Sequence, residues 1–312
     1  MNWMLKATIQ NAIAALPEPM SQRLYYAVQR RFGGLRTIDV EDKLRQGVQI
    51  AQRARAHGQS IAGARVLEVG TGRRLNLPIS LWLQGAERVV TVDLNPYLRA
   101  ELVAEDLRQI VAEREHVAAL FGAELRADRL EALADLSRNF SLRRLLTLCA
   151  IEYRAPGDAA ALDLPGGTID LHVSYEVLEH IPGPVLEAIL REGRRVAAPG
   201  ALFVHRIDFS DHFSHSDRNI SAINFLELGP RSFRLLAGNR FMYMNRLRLD
   251  DFLALYARAG HRVIAVEAEP DPEVVRLLDT GKVVPHTDFV FKSRDTLATL
   301  GAWICSRAEG ST

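Results

Sequence analysis

Two short apolar runs separated by a glycine turn constrain this chain more than any other feature. Arg65-Val66-Leu67-Glu68-Val69 runs directly into Gly70-Thr71-Gly72, and Arg88-Val89-Val90-Thr91-Val92-Asp93 follows. Apolar and β-branched runs of this length predict strands. The segment between them, PISLWLQG from Pro78 to Gly85, suits a helix. Strand, glycine turn, helix and strand make a βαβ unit with a parallel strand pair. A parallel sheet needs helices on both faces, so the rest of the chain must supply alternating strands and helices.

It does. Further strands are predicted at Ile151 to Tyr153, Ile169 to Tyr175, Ala201 to Asp208, His261 to Ala268 and Trp303 to Arg307. Helices are predicted over 184–198 and 249–260, the second ending at Gly260. The expected fold is α/β: a Rossmann-like, seven-stranded, mostly parallel sheet with helices on both faces. Residues 1–60 read as a helical N-terminal cap. Pro17 and Pro19 end a first helix, Ser21 opens a second that Gly33-Gly34 stops, and Asp39 caps a third running from Val40 to His57. The main domain would then span 61–312, with insertions at about 97–150, largely helical, and 209–248.

Composition sets limits on function. The 312 residues are 48% hydrophobic, which excludes a disordered chain. Lys and Arg total 39 against 38 Asp and Glu, a formal net charge of +1, so the strongly basic face that binds nucleic acid is not expected. Cys149 and Cys305 are too few for a disulfide framework and lack metal-ligand spacing. No run approaches the roughly 20 apolar residues of a membrane span, and the first 20 residues do not read as a signal peptide. A cytoplasmic protein is the expectation.

In open parallel sheets ligands bind beyond the C-terminal strand ends, at the point where strand order reverses. Gly70 and Gly72 let backbone approach a ligand there. Glu68 beside them would repel a pyrophosphate but suit a ligand carrying an amino group or positive charge. Leu75 stands where a dinucleotide fingerprint places its third glycine, which weakens an NAD-dependent oxidoreductase reading. Asp93 lies about 20 residues past the glycines, where a carboxylate accepts ribose hydroxyls. The structural alternatives are an ordinary tight turn and an Asp that caps Asn95-Pro96.

Taken in order, VLEVGTG, VVTVDLNP and GDAAALDLPGGTIDLHVSYEVLEHI resemble the class I S-adenosylmethionine-dependent methyltransferases of the type 11 kind, over residues 61–208. The resemblance implies a seven-stranded sheet whose last strand is antiparallel, and S-adenosylmethionine as cofactor. It implies that Glu68, Gly70 and Gly72 lie near the methionine portion and Asp93 at the ribose, with Thr71 and Leu94 beside them. Asp158, with Ala159, would meet the adenine, and Tyr175 and Glu176 would wall the cofactor. Glu179-His180 resembles the family's L-E-H-I segment, where the His is either packed or catalytic.

The acceptor side should follow the fifth strand. There His205, Asp208, Asp211, His212, His215 and Asp217 crowd into one polar stretch. An oxygen acceptor must lose a proton, and a His oriented by an Asp is a suitable base. Asp211 and His212 are the expected pair, with His180 as a further candidate. The alternatives are a hard-cation site using Asp208, Asp211 and Asp217, and a solvated loop whose polar groups cap turns. No full metal-ligand set is assigned. Residues 219–248, with Phe225, Phe233, Phe241, Tyr243 and several Arg, either close over the acceptor or pack a cap.

O-methylation of a small molecule or glycan is the expected activity. A non-catalytic cofactor-binding partner in a biosynthetic complex is the rival from a different class. The N-terminal helices would serve as a lid or a homo-oligomer contact; membrane contact is not expected.

Overall fold

The computed structural model describes residues 1–37 and 39–309. Seven strands form one sheet: β1 (Arg65–Val69), β2 (Arg88–Val92), β3 (Ile151–Arg154), β4 (Ile169–Tyr175), β5 (Ala197–Asp208), β6 (His261–Glu267) and β7 (Gly301–Ala308). Their order is β3-β2-β1-β4-β5-β7-β6. The first five run parallel, and β7 is antiparallel to both β5 and β6. Strand order reverses between β1 and β4, so the crevice for a ligand opens beyond Val69 and Val92, which are paired in register. The seventh strand is longer than TrpIleCysSerArg suggests, because Gly301 and Ala302 already pair with Asp208 and Ile207.

Four helices belong to the N-terminal third: α1 (Trp3–Ala14), α2 (Glu18–Phe32), α3 (Val40–Ala56) and α4 (Asn76–Leu83). Helix α2 starts at Glu18 rather than Ser21, with Pro19 inside its first turn. A first-turn proline costs nothing there, since its missing N–H has no helical partner anyway. Asp39 caps α3, accepting from the Asp42 N–H at 2.9 Å. Helix α3 shares the main apolar core with α4 and the sheet. Gly47 permits this approach, because a Cβ there would lie 2.3 Å from Ser80 Oγ. Ser80 in turn donates to the Leu44 carbonyl at 2.7 Å. Every residue of α4 is buried, as an all-round apolar helix requires.

The helical insertion folds into α5 (Ala100–Ala112), α6 (Arg114–Phe121), α7 (Ala127–Ser137) and α8 (Leu142–Leu148). Helix α9 (Gly183–Val196) links β4 to β5. Helices α10 (Pro230–Ala237) and α11 (Leu249–Arg258) follow β5, and α12 (Pro272–Asp279) and α13 (Arg294–Ala298) lie between β6 and β7. The last two were not legible as helices.

A second apolar core joins Trp3 and Ala7 of α1 to Phe213, Phe225 and Phe233 and to Val274, Phe289 and Leu297. Polar bonds fix α1 in the same place: the Trp3 N–H donates to Asp217 Oδ2 at 2.8 Å and Lys6 Nζ to Ser216 Oγ at 2.9 Å. Arg248, fully buried, ties this core to the sheet by donating to the Phe209 and Leu297 carbonyls at 2.7 and 3.0 Å. Among the described residues no helix is long and apolar enough to cross a membrane.

Candidate active site

The glycine turn and the tip of β2 are locked together. Gly70 sits at φ +94° and donates its N–H to the Val92 carbonyl at 2.8 Å. A Cβ on Gly70 would lie 2.4 Å from Val177, so glycine is needed for space as well as conformation. Gly72 donates its N–H to Asp93 Oδ2 at 2.9 Å, and Asn95 donates to Asp93 Oδ1 at 3.0 Å. Burial pushes the Asp93 carboxyl upward, and these two backbone bonds oppose it. The loop after β3 closes the same end: the Gly157 N–H donates to the Asp93 carbonyl at 2.9 Å, and Asp158 Oδ1 accepts from the Ala160 N–H at 2.8 Å.

A cleft of ≈ 680 Å³ opens from these tips. Of the expected cofactor residues, Gly70, Gly72, Asp93, Leu94, Asp158 and Ala159 line it, and Glu68, Thr71, Tyr175 and Glu176 do not. Glu68 is 4% exposed and accepts a hydrogen bond from Thr91, whose Oγ1 meets Thr71 Oγ1 at 2.6 Å. Side chains alternate along a strand, so with Val69 on the cleft wall its neighbour Glu68 turns to the other face of β1. Burial pushes its carboxyl up to about 8, which keeps it neutral near pH 7. Glu68 therefore lies beneath the glycine turn and off the cleft wall. Tyr175 donates to Gln49 Oε1 at 3.3 Å and packs edge-on against Trp303, away from the cleft. Leu75, in place of a third glycine, is fully buried in the main core.

The opposite wall was only partly legible. Glu18 and Gln22 of α2 reach the cleft beside Arg240, Phe241 and Tyr243. Phe241 stacks on Tyr25 with centroids 4.0 Å apart, which joins α2 to the 239–243 segment as one roof.

The loops after β4 and β5 bring His180, Asp208 and His212 together. His212 Nε2 lies 3.1 Å from Asp208 Oδ2, and the His180 and His212 ring centroids are 5.0 Å apart. His180 lines the cleft, and its Nδ1 bonds the Tyr243 carbonyl at 2.8 Å. His180 keeps an exposed face toward the cleft, and the packing around the rest of its ring lowers its pKa, which favours the neutral imidazole. Asp208 lies below the usual carboxylate range: burial pushes it up, but hydrogen bonds from His212 and Ser210 outweigh that.

The expected Asp211–His212 pair does not form. Asp211, 2% exposed, accepts instead from the Phe213 N–H at 2.8 Å and Asn224 Nδ2 at 3.1 Å. Adjacent residues in a turn point apart, whereas a four-residue step returns His212 to the side of Asp208. His205 lies inside the sheet, 2.9 Å from His172 and bonded to Tyr256. His215 meets Ser210 at 2.9 Å, and Asp217 is committed to α1.

Residues 67–205 match the family described as a methyltransferase domain. The match covers less than half of the chain and extends from β1 to β5 of the sheet. No curated protein matches the chain. Among solved structures it is similar to an S-adenosylmethionine-dependent methyltransferase from Mesorhizobium loti, at 15% identity over 82% of this chain and 96% of that one, with a TM-score of 0.41. It is also similar to a geranyl diphosphate C-methyltransferase from Streptomyces coelicolor, at 12% identity, 84% and 78% coverage and a TM-score of 0.46. A methyltransferase from Methanosarcina mazei gives 14%, 78% and 92%, and 0.41. Likeness at this level says nothing about the acceptor.

The sequence resemblance to methyltransferases implies S-adenosylmethionine as cofactor. The cleft suits such a group. A Cβ at Gly72 would meet nothing within 4 Å, so the turn presents bare backbone to open space. Two neutral amides leave the Asp93 carboxylate with further lone pairs for hydroxyls. Leu94, Ala159 and Ile189 supply apolar wall beside the Asp158 carboxylate.

Proposed function

We propose that this chain methylates a hydroxyl oxygen of a small molecule or glycan. The observation that carries the reading is His180: a neutral imidazole on the cleft wall whose Nδ1 is committed to the Tyr243 carbonyl. A carbonyl only accepts, so the ring proton sits on Nδ1 and Nε2 keeps a lone pair for an acceptor proton. His212, oriented by Asp208, stands behind it. An amine attacks with its own lone pair and loses its proton afterwards, whereas a hydroxyl needs its proton drawn off as it attacks.

Bound S-adenosylmethionine supplies a methyl group on a positively charged sulfur. In this reading Asp93 takes the ribose hydroxyls, Asp158 and Ala159 the adenine, and the Gly70–Gly72 backbone the amino-acid end. Glu68 supports the turn from beneath through Thr91 and Thr71. Phe241, Tyr243 and Arg240 orient the acceptor and keep water out, so that much of the catalysis comes from positioning. His180 and His212 handle the acceptor proton.

The test is transfer of labelled methyl from S-adenosylmethionine to panels of hydroxylated small molecules and glycans, with amine and carbon acceptors alongside. Label in ether linkage supports the reading; label confined to carboxyl esters, nitrogen or carbon removes it.

A further inference from the structure

We propose that Glu179, His180 and His212 bind one divalent metal ion of the Mn²⁺, Co²⁺ or Zn²⁺ class, at the acceptor end of the cleft. One ligand atom from each residue lies within 4.8 Å of the other two, so a small closure brings all three onto one ion. His180 also lines the cleft, which leaves the ion a position open to an incoming molecule.

Glu179 is the second, independent sign. It is 2% exposed, and neither carboxylate oxygen has a hydrogen-bond partner of normal geometry, although the backbone N–H groups of Glu179 and Asp208 lie near enough to oppose the upward push of burial on its carboxyl. Buried polar groups are almost always paired, and an unpaired carboxylate is among the costliest exceptions. Burial, and after it the like charge of the Asp208 and Glu176 carboxyls, pushes its carboxyl well above the usual range, so that ionising it calls for a cation. Glu176 itself is held at φ +54°, a strained conformation for a residue with a side chain. Arg206, Lys43 and His212 are the positive or titratable groups that face Glu176. None of them bonds Glu179. A cation at the centre of this group would satisfy it.

The imidazoles are prepared in the manner of metal ligands. The Tyr243 carbonyl fixes the His180 proton on Nδ1, and the Asp208 carboxylate accepts from His212 Nε2. Each ring therefore keeps one free lone pair and has an oxygen partner behind it, the outer arrangement that orients ligating histidines. Two nitrogens and one carboxylate favour a borderline transition metal over Mg²⁺ or Ca²⁺, which prefer oxygen. The hard-cation alternative is not available, because Asp211 is engaged with Phe213 and Asn224, and Asp217 with Trp3 and Asn219.

Only the ion's role rests on the proposed O-methylation. Without the ion the imidazoles take the acceptor proton; with it bound they hold the ion, and a hydroxyl at the open position would give its proton more readily to solvent water.

Full-length protein stripped with a chelator should be titrated with Co²⁺, followed by visible absorption, and with Mn²⁺, followed by the resonance signal of the free ion. One equivalent should bind. Glu179→Gln and His212→Gln should bind at least about tenfold more weakly while keeping wild-type affinity for S-adenosylhomocysteine. Asp208→Asn, which alters only an outer partner, should also weaken binding, by about tenfold. Absence of saturable binding by the wild type, or variants that bind like it, would overturn the site. Saturable binding without methyl transfer to any hydroxyl would uphold the site and remove the acceptor reading. Undiminished transfer by protein that takes up neither ion would uphold the acceptor reading and remove the site.

Discussion

Asp208 holds His212 at 3.1 Å, four residues away, while Asp211, its immediate neighbour, faces the protein interior. This separates two carboxylates that look equivalent in the sequence. His212→Ala should lower the methyl-transfer rate by about 10²–10⁴-fold, the usual range for loss of proton handling. Asp208→Asn should fall in the same direction by a smaller factor, with kcat affected more than KM. Initial-rate kinetics on an acceptor found by label transfer would check this, and a full rate in His212→Ala would remove the assignment.

Asp211→Ala should instead cost stability. The substitution strands the Phe213 N–H and Asn224 Nδ2 in a buried setting, a loss of about 1–3 kcal/mol. Thermal unfolding should shift down by about 2–4 °C per kcal/mol. Folded protein should keep its S-adenosylhomocysteine affinity. A variant with wild-type melting would contradict the structural role.

Glu68 predicts a pH effect of definite sign. Its folded pKa of about 8 lies above the ordinary 4.5, so the folded state keeps a proton that the unfolded chain releases. The associated stability is fully present below about 4.5 and is lost as pH rises toward 8. Glu68→Gln removes that dependence. Relative to wild type, the variant should therefore gain stability between pH 5 and pH 8, at up to about 1.4 kcal/mol per pH unit. Denaturant unfolding of both proteins at the two pH values decides it; a constant difference would contradict the buried, neutral carboxyl.

Gly70→Ala meets two obstacles at once, a φ of +94° and a contact of 2.4 Å with Val177. Strain of about 1–2 kcal/mol and overpacking of about 1–3 kcal/mol should both appear as lost stability. Adding Val177→Ala should recover the overpacking part only. Chemical denaturation of the single and double variants tests this. An unperturbed single variant would show that the turn is looser than the structure has it.

The sheet was legible because its strands are dense in β-branched residues and bounded by turn signals. Arg65–Val69 and Ile169–Tyr175 fall where the sequence puts them. Helix α2 began early because a proline breaks a helix only away from its first turn. Helices α12 and α13 are short and carry one and two buried residues, so they leave little periodic signal. At the site, backbone-driven features came through: the glycine turn, Asp93 at a strand tip, and Asp158 after β3. Side-chain direction did not. The inward turn of Glu68, the Asp208–His212 pairing and the stacking of Tyr25 on Phe241 each depend on which way a chain of known sequence happens to face. Spacing along the sequence does not carry that.

The central claim is that Asp93 and the glycine turn hold S-adenosylmethionine, and calorimetry with S-adenosylhomocysteine tests it most directly. Wild type should bind saturably, and Asp93→Ala should lose about 1–3 kcal/mol of that affinity with the loss of hydrogen bonds to a charged group. Equal affinity in the two proteins, or no binding by the wild type, would contradict the account.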